Sequence, residues 1–235
     1  MKKGIWTTMI TLPELWKDLK FASDYNNLTS SQRQILEPIL YEEFQARELR
    51  RISYLMRRSG LKRIKRIEDF DWKFNPKIPR DKIMGFFESS DWVKDAENIV
   101  FIGPAGVGKS HLADSLCYHM ISQQGIPTTR ITCFDLVERL KKGRNKYNLL
   151  NYYASVKILC LDELGYVFPS QDQANDIFQI ISKRSEILPT IITTNLIPSA
   201  WGRIFEAATA TAILDRLSFK GTFITCEGRS YRTKR

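Results

Sequence analysis

Histidine and cysteine are scarce in this sequence, and their spacing is wrong for the chemistry they commonly carry. The two histidines, His111 and His119, fall in no common zinc spacing, which argues against an imidazole-based metal centre and against a histidine-based triad. The four cysteines, Cys117, Cys133, Cys160 and Cys226, stand far apart with no C-x-x-C pair, so they read as small core residues. Long apolar runs are also missing. Stretches such as 99–103 and 158–161 are strand-length, against the roughly 20 residues that a membrane-crossing helix needs. The opening MKKGIWTTMITLPELWKDLK lacks the apolar centre of a secretion leader. No membrane partner is expected, and the cytoplasm is the default location.

What is present is the composition of an ordinary folded protein. Of 235 residues, 43% are hydrophobic and 26% charged, enough for a full core and far from the disordered class. The length suits one large domain with a smaller appendage. A net charge of +10 favours a polyanionic partner, although charge alone does not separate DNA, RNA and acidic membrane.

Residues 1–66 read as a small helical module. Pro13 opens a short helix in LPELWKDLK, and a longer helix begins at Thr29 or Ser30. The longer helix carries Leu36, Leu40, Phe44, Leu49, Ile52, Leu55 and Met56 at helical spacing, is started or divided at Pro38, and ends near Ser59 and Gly60. Its second half is densely basic: between Arg47 and Arg66 lie nine Lys or Arg residues and one acid, Glu48. Either this is a solvated face, or Arg47, Arg50, Arg51, Arg57, Arg58, Lys62 and Arg63 contact phosphates; the one-signed density favours the second reading. Residues 67–80, IEDFDWKFNPKIPR, turn to acids, aromatics and prolines and read as a linker strapped onto the domain that follows, 81–235.

That domain alternates between two periods. A helix near 80–88 precedes strand 99–103, helix 109–123, strand 128–132, helix 134–143 with a further helical piece to about 154, and strand 157–161. Helix 171–187, strand 190–194, helices within 199–218 and strand 222–226 complete it. Ile- and Val-rich strands alternating with helices predict an α/β fold with a parallel, doubly wound sheet covered on both faces.

Three strand ends carry the chemistry. GPAGVGKSH follows an apolar strand and opens a helix, the context that G-x-x-x-x-G-K-[ST] requires. Gly103, Pro104, Ala105, Gly106, Val107, Gly108, Lys109, Ser110 and His111 would then form a loop whose inward amides and helix dipole bind the phosphates of ATP. Lys109 reaches the β- and γ-phosphates, and the Ser110 hydroxyl binds Mg²⁺. KILCLDELGY is a second apolar strand, ending in Asp162 and Glu163 roughly fifty residues after the lysine, as a Walker B element would. Asp162 is expected to hold Mg²⁺ through water and Glu163 to polarise the attacking water; alone, such an acidic strand end also serves as a helix cap. PTIITTNL is a third core strand, whose tip would lie beside Asp162. Asn195 is the expected sensor of the attacking water and Thr194 the second candidate, against a turn-forming Asn before Pro198. A further segment, KKGRNKYNLLNYYASVK, has five basic residues, no acids and three tyrosines. Lys141, Lys142, Arg144 and Lys146 are its candidate phosphate contacts, and Tyr147 or Tyr153 its candidate stacking residues, against ordinary core packing.

Taken with RIEDFDWKFNP, the WGRIF segment, AILDRL at 212–217, EGRSYR at 227–232 and the basic ARELRR, these motifs resemble the IstB-like transposition helper ATPases over most of the chain. Those are AAA+ proteins of the initiator and helicase-loader clade related to DnaC. The resemblance implies an AAA+ P-loop NTPase domain behind a helical DNA-binding and assembly module. Against the pattern of most AAA+ proteins, no full C-terminal helical lid is expected, since the sequence stops just after its last strand. The implied activity is ATP hydrolysis with Mg²⁺ in a homo-oligomer holding ATP at subunit interfaces. That oligomer would sit on duplex DNA, remodel it, and recruit and stimulate a partner transposase. Arg216 matches the arginine finger that enters a neighbour's site, and Arg232 the clade's sensor arginine. A surface arginine paired with Asp215 or Glu206, and a loose basic tail, are the alternatives for these two. The 141–157 segment stands where the initiator clade inserts a helical element facing nucleic acid. For the whole chain the alternatives are a DnaC-like helicase loader and a non-hydrolysing, nucleotide-gated scaffold.

Overall fold

The computed structural model describes residues 11–166 and 168–233. Two compact units divide between Leu55 and Met56.

The first unit is built on α1 (Leu12–Asp18) and most of α2 (Ser30–Arg58). At the start of α1, Glu14 reaches back to accept from the Thr11 amide at 2.8 Å, and Pro13 occupies the first turn, where a missing N–H costs nothing. Trp16, Leu19 and Leu40 form a small core, flanked by Leu12, Tyr25, Leu28, Leu36 and Phe44. The Trp16 ring stacks on Phe21 at 4.0 Å, and its indole N–H donates to the Ser23 carbonyl at 2.6 Å. Pro38 neither starts nor divides α2. It lies inside a continuous 29-residue helix, which absorbs one lost amide donor because Leu36, Leu40 and Phe44 pack on either side of it. Past the end of α2, Gly60 takes φ +76°, the left-handed conformation that ends helices.

The second unit holds a five-stranded, all-parallel sheet in the order β2-β3-β4-β1-β5. Its strands are β1 (Asn98–Ile102), β2 (Thr128–Thr132), β3 (Ile158–Leu164), β4 (Thr190–Thr194) and β5 (Gly221–Thr225). Alternate side chains feed two cores. Val100, Ile131, Leu159, Leu161 and Ile192 face one layer, made by α6 (Cys133–Lys142), α7 (Lys146–Ser155), α8 (Gln171–Arg184) and α9 (Ala207–Phe219). Ile99, Phe101, Ile158, Cys160, Ile191 and Ile224 face the other, made by α3 (Arg80–Glu88), the short α4 (Asp91–Lys94) and α5 (Lys109–Ser122). Burial on both faces is why β1 from Ile99 and β3 from Ile158 to Leu161 read as unbroken apolar runs.

Three details differ from expectation. The division between units precedes the 67–80 segment, whose Ile67 and Ile78 are buried in the α5 core with Phe70 and Trp72 packed against it. Strand β3 continues to Leu164, with a register shift between Leu161 and Leu164 in its pairing with β4, so Asp162 and Glu163 lie inside a bulged strand. Helix α8 ends at Arg184 rather than 187, where Glu186 takes the left-handed φ of +65°, and the Arg184 side chain turns inward and is fully buried. Its guanidinium donates to five carbonyls, among them Tyr153 at 3.0 Å and Val156 at 2.7 Å, and to the Thr190 hydroxyl. Arg184 thereby ties α7, β3 and β4 together at their amino- and carboxyl-terminal junctions. After β5 the described residues hold one 3-10 turn, Tyr231–Thr233. No helix among the described residues is long and apolar enough to cross a membrane.

Candidate active site

The loop between β1 and α5 bends around its glycines. Gly106 has φ +80°, and a Cβ there would lie 2.0 Å from the Ser230 hydroxyl oxygen, so only glycine lets the loop curl beneath the C-terminal segment. Lys109, the first residue of α5, is 6% exposed and donates through Nζ to the Gly103 carbonyl at 2.7 Å and the Pro104 carbonyl at 2.8 Å. Burial lowers its pKa, and nearby Arg232 acts in the same direction against the pull of Asp162 and Glu163.

Asp162 is the most heavily bonded carboxylate of the site and is 1% exposed. Its Oδ1 accepts from Ser110 Oγ at 2.9 Å and from the Thr193 hydroxyl. Its Oδ2 accepts from Arg130 Nη2. Arg130 also donates through Nε to Asp114 at 3.3 Å, and the second oxygen of Asp114 accepts from Lys65 Nζ at 2.6 Å. Burial disfavours the charged guanidinium of Arg130, but the Asp162 and Asp114 carboxylates outweigh it and raise its pKa. The Glu163 backbone, at φ +61°, donates its amide to Thr193 Oγ1 at 3.0 Å. One residue of the bulged pair is thus turned into the sheet and the other out of it.

A cavity of about 300 Å³ opens over this arrangement, floored by Ala105 to His111 and walled by Phe70, Phe74 and Tyr231, with Lys65, Glu163, Thr193 and Arg232 at its polar side. Its C-terminal wall is fixed by Asn75. The Asn75 amide accepts from the Arg229 N–H at 2.9 Å and donates to the Arg229 carbonyl at 3.0 Å, while the Tyr231 amide donates to Gly106 at 2.8 Å. Phe74 meets the Tyr231 ring edge-on at 5.0 Å and lies under the Arg229 guanidinium at 5.2 Å. Arg232 lines the cavity beside the loop.

The structure gathers Lys109, Ser110, Asp162, Glu163 and Arg232 but not every expected residue. Asn195 is exposed beyond the end of β4, while Thr194 is buried and Thr193 lines the cavity. Arg216, on α9, donates to the Ala212 carbonyl at 3.0 Å and stacks over Phe178 at 4.9 Å, rather than pairing with Asp215 or Glu206. Tyr153 is 1% exposed and belongs to the core, which removes it as a stacking residue; Tyr147 is exposed. The basic run is less one-signed than its sequence window suggested. Arg47 and Arg50 both reach Glu43, at 2.7 and 3.3 Å, and Arg51 pairs with Glu48 at 2.8 Å. Lys142 pairs with Glu138 at 2.5 Å and Lys146 with buried Asp176 at 2.8 Å. Lys62, Arg63, Lys141 and Arg144 are exposed.

Sequence reasoning missed Thr193, Arg130, Asp114, Lys65 and Asn75. A charge inside the strand TTRIT was the available signal for Arg130, since a buried charge requires a partner. Nothing local marked Asn75, whose partner Arg229 is remote in sequence.

The donor set fits a magnesium nucleotide. Among the described residues no group of three or more His, Cys, Asp or Glu side chains converges as a metal cage. Ser110 and Asp162 instead supply two adjoining hard oxygens at a phosphate loop, the small protein share that Mg²⁺ takes when phosphates and water complete its shell.

The profile of a family described as "IstB-like ATP binding protein" matches residues 9–235. The chain is 35% identical over 196 residues to the insertion sequence IS232 putative ATP-binding protein of Bacillus thuringiensis subsp. berliner, covering 82% of this chain and 78% of that one. It is 32% identical over 228 residues to the IS5376 putative ATP-binding protein of Geobacillus stearothermophilus, covering 95% and 89%. Among solved structures, DnaI superposes with a TM-score of 0.60 at 21% identity, over 74% of this chain and 92% of that one. The DnaC helicase loader superposes with a TM-score of 0.52 at 26% identity, over 62% and 86%.

Proposed function

We propose, from the premise that this chain belongs to the IstB-like ATP-binding family, that it hydrolyses ATP as a helper of insertion-sequence transposition. In this reading it assembles on duplex DNA in the cytoplasm, holds ATP between subunits, remodels the duplex and engages a transposase. The protein is an ATP-binding member of the AAA+ P-loop class, and the finer activity rests on one observation. Asp162 faces Ser110 on the same side of β3 as Cys160, while the left-handed backbone of Glu163 within the bulge presents that carboxylate to the cavity.

In that site the loop amides and Lys109 bind the phosphates, and Lys109 must leave the Gly103 and Pro104 carbonyls to do so. Bound Mg²⁺ would offset phosphate charge from the Ser110 and Asp162 side. Glu163 orients the attacking water and accepts its proton, and Thr193 fixes the backbone that carries it. Arg232 adds positive charge beside Lys109. Arg216 rests on its own helix and on Phe178, so a finger role requires a neighbouring subunit's site. Exposed Lys62, Arg63, Lys141 and Arg144 suit DNA phosphates directly. Arg47, Arg50 and Arg51 would exchange weak surface pairs for phosphates, and Arg57 and Arg58 extend the same run.

The test is turnover in two variants. Glu163→Gln and Arg216→Ala should each retain ATP binding and lose turnover by about 100-fold or more. Mixing the two variants should restore part of the activity if the finger acts between subunits. Background-level turnover in the wild type and in Glu163→Gln alike would instead make the protein a nucleotide-gated scaffold, and measurable turnover left unchanged by the substitution would remove Glu163 from the catalytic step. The likeness to the DnaC helicase loader supports a second reading, a loader, which stoichiometric capture of a replicative helicase would favour.

A further inference from the structure

Arg130 stands on β2, opposite Cys160 of β3, and its side chain runs along the P-loop face of the sheet to both Asp162 and Asp114. Its backbone is fixed as firmly as its side chain. The Arg130 amide donates to the Ser59 carbonyl at 2.6 Å, and its own carbonyl lies where a Cβ on Gly60 would be, at 2.2 Å. The base of the side chain is therefore fixed, and the guanidinium at its end is held by two carboxylates, Asp162 and Asp114.

Charge bookkeeping around it is simple. Within the ion-paired cluster Lys65 and Arg130 balance Asp114 and Asp162, with both oxygens of Asp162 engaged, and next to it Lys109 and Arg232 outnumber Glu163, so no excess negative charge remains. A bare buried carboxylate beside a hydroxyl would attract a divalent cation without help. A carboxylate already neutralised by an arginine would not, because the added cation meets no net charge.

We propose that Arg130 is a positioning residue of the cation site: it holds Asp162 by Oδ2 and offsets its charge, so that a divalent cation binds strongly only when nucleotide phosphates supply the missing negative charge. The arginine thus makes cation and nucleotide binding interdependent. This inference rests on the ATP reading above.

The experiment uses the full chain and Mn²⁺ as a paramagnetic probe, with free Mn²⁺ counted by electron paramagnetic resonance, in the absence of nucleotide and in the presence of ADP. In the wild type, ADP should strongly increase Mn²⁺ affinity. Arg130→Gln should tighten nucleotide-free Mn²⁺ binding by about three- to tenfold and shrink the effect of ADP, while Arg130→Lys should stay close to the wild type. Asp114→Asn, which leaves a net positive cluster, should shift affinity the other way, weakening Mn²⁺ in the ADP complex by a similar factor, and it supplies the answer if Arg130→Gln does not fold. A merely structural Arg130 would leave folded variants with wild-type Mn²⁺ affinity, and that result, or an unshifted Asp114→Asn, overturns the proposal. Failure of ADP to raise Mn²⁺ affinity in the wild type would instead count against the nucleotide site itself.

Discussion

The Tyr231 amide donates to the Gly106 carbonyl across 2.8 Å, so the residues after β5 are bonded to the turn of the phosphate loop. The same segment is clasped by Asn75, which is 4% exposed and satisfies both the N–H and the carbonyl of Arg229. Position of the C-terminal wall therefore depends on a residue from the 67–80 segment.

Asn75→Ala should weaken ATP binding by about tenfold, since the Arg229 N–H and carbonyl lose the side chain that clasps them and Arg232 loses its fixed place beside Lys109. Fluorescent-nucleotide titration would measure this. Equal affinity in the variant would mean that the wall contributes nothing to binding.

The basic residues should separate by partner. Lys62→Ala with Arg63→Ala should reduce the slope of log affinity for duplex DNA against log salt by up to about two, one for each lost phosphate contact. Arg47→Ala with Arg51→Ala should change it less, because those side chains already answer Glu43 and Glu48. Fluorescence anisotropy over a salt series distinguishes the pairs, and an unaltered slope in the first would remove residues 62–63 from the DNA surface.

His119 should make stability fall on acidification. Burial lowers its pKa from 6.5, against smaller opposing effects of the Phe87 backbone and Glu68, and its ring meets Phe87 edge-on at 5.2 Å. The unfolded chain therefore binds the proton at higher pH than the folded one. The stabilisation is complete above pH 6.5 and declines as pH falls from there through the lowered folded value. Urea midpoints measured at about pH 7.5 and about pH 5.5 should converge more closely in His119→Gln than in the wild type. Parallel losses in both proteins would assign the acid sensitivity elsewhere.

Sequence by itself determined the elements and the phosphate loop, because both are local. A glycine-rich turn between an apolar strand and a helix is written in nine consecutive residues, Gly103 to His111, and alternating strands and helices leave a parallel sheet as their packing solution. Family-level likeness also followed from contiguous motifs. Tertiary structure decided what those motifs touch. Thr193 rather than Asn195 meets Asp162 because β3 and β4 align Leu161 with Ile192, which sets Thr193 beside Asp162, and neither strand specifies that alignment by itself. Arg130 and Asp114 come together across separate elements around Asp162, and Asn75 reaches Arg229 from far along the chain. Glu43 sits one helical turn before Arg47, outside the window in which the charges looked one-signed. Charge balance and hydrogen-bond satisfaction depend on distance in space, and only the folded chain sets those distances.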